Sequence, residues 1–206
     1  AKLHIKGGSD MGIRIESDND GYANLQFGDA DDLVRGSISY NNADDSLQLR
    51  GYNNTERMRI DSSGNVTMPS QPAFLAHPAS TQNNISINNE VTVVLGTEVF
   101  DVGSNFASNT FTAPVTGKYQ FNVVIRLTYL DSAATYYRMY FKTSNKTYYS
   151  IMDPDFGQDT TYWSLTLSVL ADMDVGDTAI VRMYQSGGTS QTDINQDTYF
   201  SGYLAC

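Results

Sequence analysis

A single cysteine, Cys206 at the last position, leaves no disulfide within the chain, so packing and hydrogen bonding must hold the fold. Long apolar runs are missing as well. Val93-Val94-Leu95 is typical of what there is, against the roughly 20 consecutive apolar residues of a spanning helix, so no membrane insertion is expected. Basic residues are scarce: 13 Lys and Arg stand against 23 Asp and Glu, a net charge of −10. Residues 1–70 carry seven basic and eleven acidic residues, and residues 71–206 carry six and twelve. Both portions therefore repel phosphate backbones and anionic headgroups, and nucleic acid is not an expected partner. Histidine is limited to His4 and His77, neither near a Gly-x-Ser-x-Gly elbow or a cysteine, so nucleophilic hydrolysis has no signature here. At Ala1 the chain starts without the charged and apolar segments of a secretory signal, the expectation for a mature product or an excised fragment.

What is present is alternation. The first 70 residues hold seven short period-two pairs, Leu3/Ile5, Ile13/Ile15, Leu25/Phe27, Ile38/Tyr40, Leu47/Leu49, Met58/Ile60 and Val66/Met68. Turn formers such as Gly7-Gly8, Asn41-Asn42 and Ser62-Ser63-Gly64-Asn65 separate them. Two anchors per strand are too few to offset the ordering of about 70 backbone residues at roughly 1 to 2 kcal/mol each. The segment needs a partner, and further copies of itself, stacked or interleaved around an axis, would bury each strand between chains. No apolar heptad runs through it, so a coiled coil is not the oligomerising device.

Pro69-Ser70-Gln71-Pro72 marks the expected boundary, because two prolines three apart fix φ and withhold ladder donors. Beyond it the alternation lengthens. Tyr119, Phe121, Val123, Ile125, Leu127 and Tyr129 form one face of a strand whose other face is polar except for Val124. Similar segments follow at Tyr137/Met139/Phe141, Trp163/Leu165/Leu167/Val169, Ala179/Val181/Met183 and Phe200/Gly202/Leu204. Half-buried strands without a helical segment predict an all-β sandwich over residues 71–206. Gly117 suits a turn with positive φ, Gly176-Asp177 a hairpin turn, and Gly202 a close backbone approach.

Phe111, Pro114, Gly117, Tyr119 and Phe121, then Gly176-Asp177, then Phe200, Gly202, Tyr203 and Leu204 occur in the order and spacing of the C1q/TNF-like jelly roll, which residues 72–206 resemble. Tyr203 stands where that family more often has Phe. The resemblance implies a ten-stranded jelly roll assembled as a trimer. Glu56-Arg57-Met58-Arg59-Ile60 with the Gly64-Asn65-Val66 turn resembles the shaft of bacteriophage tail fibres. Together the two resemblances imply an all-β chain with a trimeric β-rich shaft over 1–70 and a C1q/TNF-like head over 71–206. Its expected place is the virion tail fibre, extracellular, joined to upstream fibre or tail components.

Tyrosine is abundant, and rigid amphipathic rings suit recognition surfaces. Tyr136, Tyr148 and Tyr149, with Asp153, Asp155 and Phe156 in an expected loop from 144 to 161, are the candidate receptor-binding residues. The receptor would be a host cell-surface glycan or outer-membrane protein. No catalytic residue is expected, since Asp153-Pro154-Asp155 reads as turn chemistry rather than as a carboxylate pair for glycan hydrolysis. Calcium is the candidate ion, with Asp193 and Asp197 as candidate ligands because some jelly rolls of the resembled family place calcium-binding aspartates in the loop before the last strand. The alternatives are a fibre-borne capsule or lipopolysaccharide depolymerase, a head-fibre or tail-needle tip, and a secreted C1q-like recognition protein.

Overall fold

The computed structural model describes residues 12–206, which fall into two compact units, Ala1–Ser70 and Gln71–Cys206. The expected Leu3/Ile5 pair, His4 and the Gly7-Gly8 turn lie outside the described residues.

Described by itself, the first unit is an antiparallel sheet of β1 (Tyr22–Phe27), β2 (Gly36–Asn41), β3 (Ser46–Gly51), β4 (Thr55–Ile60) and β5 (Val66–Thr67) in sequential order. Four of the expected pairs sit wholly on these strands, and of Val66/Met68 only Val66 does. Ile13/Ile15 do not: they are exposed and lie outside the described strands. Register lines the apolar residues into two rows on one face, Leu25–Ile38–Leu49–Met58 and Tyr40–Leu47–Ile60–Val66. That face is open, with Leu25 50% and Val66 53% exposed. The opposite, polar face is the buried one. Ser39 is 1% and Gln48 0% exposed, and the face is knitted by Ser37 Oγ to Ser39 Oγ at 2.7 Å, Gln48 Nε2 to Ser46 Oγ at 3.0 Å and Arg50 Nη2 to Gln48 Oε1 at 2.8 Å. The Arg50 guanidinium lies 4.9 Å from the centre of the Tyr22 ring, and Arg59 reaches both Glu56 and Asp44. Buried polar groups persist when paired in this way.

The second unit has β6 (Ala73–His77), β7 (Val91–Thr92), β8 (Thr97–Val102), β9 (Phe106–Ala107), β10 (Thr110–Thr112), β11 (Gly117–Leu130), β12 (Tyr136–Thr143), β13 (Thr147–Met152), β14 (Thr160–Met173), β15 (Thr178–Ser186), β16 (Asp193–Ile194) and β17 (Tyr199–Leu204). One sheet runs β14-β11-β17-β6-β8 with β16 against β11, and the other runs β13-β12-β15-β10-β9 with β7 against β15. Both are antiparallel and six-stranded, twelve strands in all against the ten that the resemblance implied, with β7, β9 and β16 only two residues long. Residues 147–152 form β13, which shortens the expected 144–161 loop to 153–159.

The alternation works as expected along β11, where Tyr119, Phe121, Val123, Ile125 and Leu127 are all buried. It breaks at Tyr129, whose φ of 55° turns the ring outward while Thr128 and Leu130 are both buried. Phe74, Phe121 and Phe200 from one sheet meet Phe106, Phe111 and Phe141 from the other. Phe74 stacks on Phe106 and on Phe111 with ring centres 4.9 Å apart, and meets Phe200 edge-on at 4.8 Å. Gly202 makes room for this contact, because a Cβ there would lie 2.5 Å from Phe121 Cδ1. Gly176, at φ 89°, has the expected turn conformation. Gly117 serves a different need from the positive φ expected of it: a Cβ would meet the Cys206 carbonyl oxygen and Leu204 Cδ1 at 2.7 Å.

At one end, Asp131 is buried and ties two loops together. The Thr189 amide and hydroxyl donate to Oδ2 and the Ala133 amide to Oδ1. The neighbouring Tyr137 hydroxyl accepts from the Asp131 amide and contacts Thr192 Oγ1 at 2.7 Å. Desolvation opposes ionisation of Asp131, yet the Thr189 and Ala133 donors outweigh it and hold its pKa below the ordinary 3.8.

Two outcomes are expected. Gly202→Ala should cost about 1 to 3 kcal/mol by overpacking, read as a lower midpoint in urea unfolding. A carboxyl whose pKa falls on folding adds stability above its unfolded pKa and loses it as pH drops through the folded value. Asp131→Asn should therefore cost about 1 to 3 kcal/mol at pH 7, and the gap to the native chain should narrow below about pH 4. A gap independent of pH would refute this role.

Candidate functional site

Because β13, β12 and β15 are neighbours, outward side chains of one parity align across them. Register sets Ile151, Arg138 and Tyr184 in one row and Tyr149, Tyr140 and Arg182 in the next, with Lys142 and Ile180 beyond. The alternate residues Tyr137, Met139, Phe141, Val181 and Met183 point into the core and are buried. The core thus fixes the strands, and the strands fix the outer face.

Arg138 is at its centre. Its guanidinium carbon lies 4.8 Å from the ring centre of Tyr136, 5.3 Å from Tyr149 and 5.5 Å from Tyr140, and Nη1 donates to the Tyr140 hydroxyl at 3.2 Å. Tyr136 stacks on Tyr184 with centres 5.8 Å apart. The hydrogen bond to Tyr140 raises the pKa of the guanidinium, so it is a cation throughout the working range. Glu90 bonds Lys142 at 2.5 Å and lies 3.5 Å from Arg182. Among the described residues no carboxylate comes within ion-pair distance of Arg138, and the Nε atoms of Arg138 and Arg182 are buried without a hydrogen-bond partner. Cation–π attraction of about 0.5 to 2 kcal/mol per ring is what holds Arg138 in place.

Of the expected receptor-binding residues, Tyr136 and Tyr149 belong to this face. Tyr148 has the other parity: it is half-buried and stacks on Phe141 at 5.9 Å, so it packs the sandwich. Asp153, Asp155 and Phe156 are exposed in the 153–159 segment, and Phe156 rests on Trp163 at 5.2 Å. Arg138, Tyr140, Arg182 and Tyr184 were not singled out from sequence. Their signal is the alternation Tyr136-x-Arg138-x-Tyr140-x-Lys142 matched by Arg182-x-Tyr184.

The candidate calcium ligands each have another partner. Asp193 is buried and its Oδ1 accepts the Asn84 amide at 2.8 Å, whereas Asp197 pairs with Arg126 at 2.8 Å. Of the other aspartates near a turn, Asp172 pairs with Lys118 and Asp177 accepts from Asn145 and the Asp174 amide. Among the described residues no three His, Cys, Asp or Glu side chains are grouped to hold a metal ion. His77 ends β6 and lines a mainly apolar groove of about 630 Å³ with Leu75, Val99, Asp197 and Tyr199. No described helix is long and apolar enough to cross a membrane.

Two antiparallel sheets closed on an aromatic core define a jelly-roll sandwich of the C1q/TNF-like kind, a class consistent with recognition. The chain belongs to the C1q domain family, whose model matches residues 73–205. Among solved structures it is similar to the globular domain of zebrafish complement 1qA, at 15% identity and a TM-score of 0.47, covering 66% of this chain and 98% of that one. It is also similar to murine APRIL at pH 8.5, at 10% identity and a TM-score of 0.48, covering 65% and 98%. No curated protein matches the sequence.

With Asp193 and Asp197 engaged by Asn84 and Arg126, millimolar calcium should leave the melting temperature within about a degree of its value in chelator. Saturation of a native site a hundredfold above its Kd would add about 2.7 kcal/mol, or several degrees, and such a rise would restore the ion.

Proposed function

We propose that this chain is the distal part of a phage tail fibre, assembled as a homotrimer, which recognises a host cell-surface molecule and does not hydrolyse it. Residues 1–70 serve as the shaft and residues 71–206 as the receptor-binding tip, with the upstream fibre as the attachment partner. The observation that carries this reading is the open apolar face of the first unit. Leu25, Ile38, Leu49, Tyr40, Leu47 and Val66 are each 40% or more exposed while the polar side of the same sheet is buried. An alternating sheet that leaves its apolar side in water gains little from folding alone, and further copies of the chain offer the complementary surface. The Glu56–Ile60 phrase that resembles fibre shafts lies on β4 of this sheet. C1q domains are commonly trimeric, which suits a head carried on such a shaft. A tyrosine-rich outer face suits recognition.

Sedimentation equilibrium of the full chain at micromolar concentration should give three times the mass of one chain, and Leu49→Asp should weaken the assembly at least tenfold. A stable, folded monomer would sink the reading. Incubation with host glycan should release no new reducing ends.

A further inference from the structure

The geometry points to the outer face of β12, β13 and β15 as the binding site for an acidic saccharide, its sugar ring on the tyrosines and its carboxylate on Arg138. The inference deepens the recognition reading above and rests on it.

Charge is the first support. All twelve acidic residues of 71–206 lie outside β7, β12, β13 and β15, whereas three of the six basic ones, Arg138, Lys142 and Arg182, lie within them. Glu90, one residue ahead of β7, answers Lys142 and Arg182 and leaves Arg138 without an anion among the described residues. A positive island therefore sits in a chain of net charge −10. Three rings hold this guanidinium at 4.8 to 5.5 Å before any ligand arrives, so little rotamer entropy remains to be lost on binding.

Shape is the second. Tyr136, Tyr140, Tyr149 and Tyr184 present ring surface and hydroxyls on a sheet face whose strands lie about 4.8 Å apart. Such a platform offers the apolar face of a pyranose a place to stack and its hydroxyls partners to bond. Tyr149, at 61% exposure, is the ring most open to it. An acidic peptide would use the guanidinium but would seek pockets for its side chains rather than a cluster of rings. The 630 Å³ apolar groove, where such a pocket exists, is lined by β6, β8 and β17 of the other sheet. Nucleic acid offers phosphates rather than a carboxylate beside a pyranose, and at about one charge per 1.7 Å of duplex it would meet the strongest repulsion from the rest of the chain.

Titration calorimetry of the full chain with polygalacturonate, hyaluronate and polysialic acid tests this, with dextran as the neutral sugar and polyglutamate as the acidic chain without a ring. At least one acidic saccharide should bind, and dextran and polyglutamate should bind at least about tenfold more weakly. Arg138→Gln should reduce that binding about tenfold or more, and so should Tyr149→Ala, whose exposed ring keeps the test valid if the arginine variant misfolds. Melting temperature and trimer mass should stay as in the native chain for Tyr149→Ala. Equal binding of polyglutamate overturns the inference, since charge alone would explain it. Glycan binding confined to neutral sugars, or indifferent to both variants, overturns it and leaves the recognition reading standing. Lack of saturable binding to every glycan and to intact bacterial cells overturns both.

Discussion

Six phenylalanines meet between the two sheets of the second unit, and the missing side chain of Gly202 is what lets them. Phe74 contacts Phe106, Phe111, Phe121 and Phe200, so rings from β6, β9, β10, β11 and β17 close on one centre. Aromatic pairs gain about 0.5 to 1.5 kcal/mol beyond the area they bury, and interiors tolerate added volume poorly. The rest of the head depends on this contact. Its position sets the register of β11, β12 and β15, and the register sets which side chains stand together outside.

The first unit obeys the opposite rule. Its polar face is satisfied internally, through Ser37, Ser39, Ser46, Gln48, Arg50 and Arg59, while its apolar rows remain uncovered. On the proposed reading the hydrophobic effect acts there between chains rather than within one, which is the condition for an obligate assembly. One polypeptide thus joins a unit that completes its own core to one that does not.

Electrostatics divides the head in the same way that packing divides the chain. Most of its acids are solvated or serve the loops, as Asp131 does for Thr189 and Ala133. Three of its six cations gather on the face of β12 and β15, where Glu90 orients Lys142 and Arg182, and the tyrosines hold Arg138 without neutralising it. A cation held by rings keeps its charge available to a ligand, whereas one held by a carboxylate does not.

Much of this was legible in the chain itself. Strict alternation marked β11 and its inward set from Tyr119 to Leu127, and the spaced Phe111, Tyr119, Phe121, Phe200 and Gly202 identified the jelly roll because those residues build its core. β6 and β13 were missed: Ala73-Phe74-Leu75-Ala76 does not alternate in polarity, and Tyr148-Tyr149 places a ring on each side of the strand, so period two is hidden. The outer site was half legible. Tyr136 and Tyr149 were recognisable as rings, but Arg138, Tyr140, Arg182 and Tyr184 became a site only when β12 paired with β13 and β15 in one register. Local sequence determines periodicity and turn chemistry, since these arise from neighbouring residues on the chain. Which strands lie side by side, and hence which charges face which rings, is decided by long-range packing around Phe74, and no local pattern encodes it.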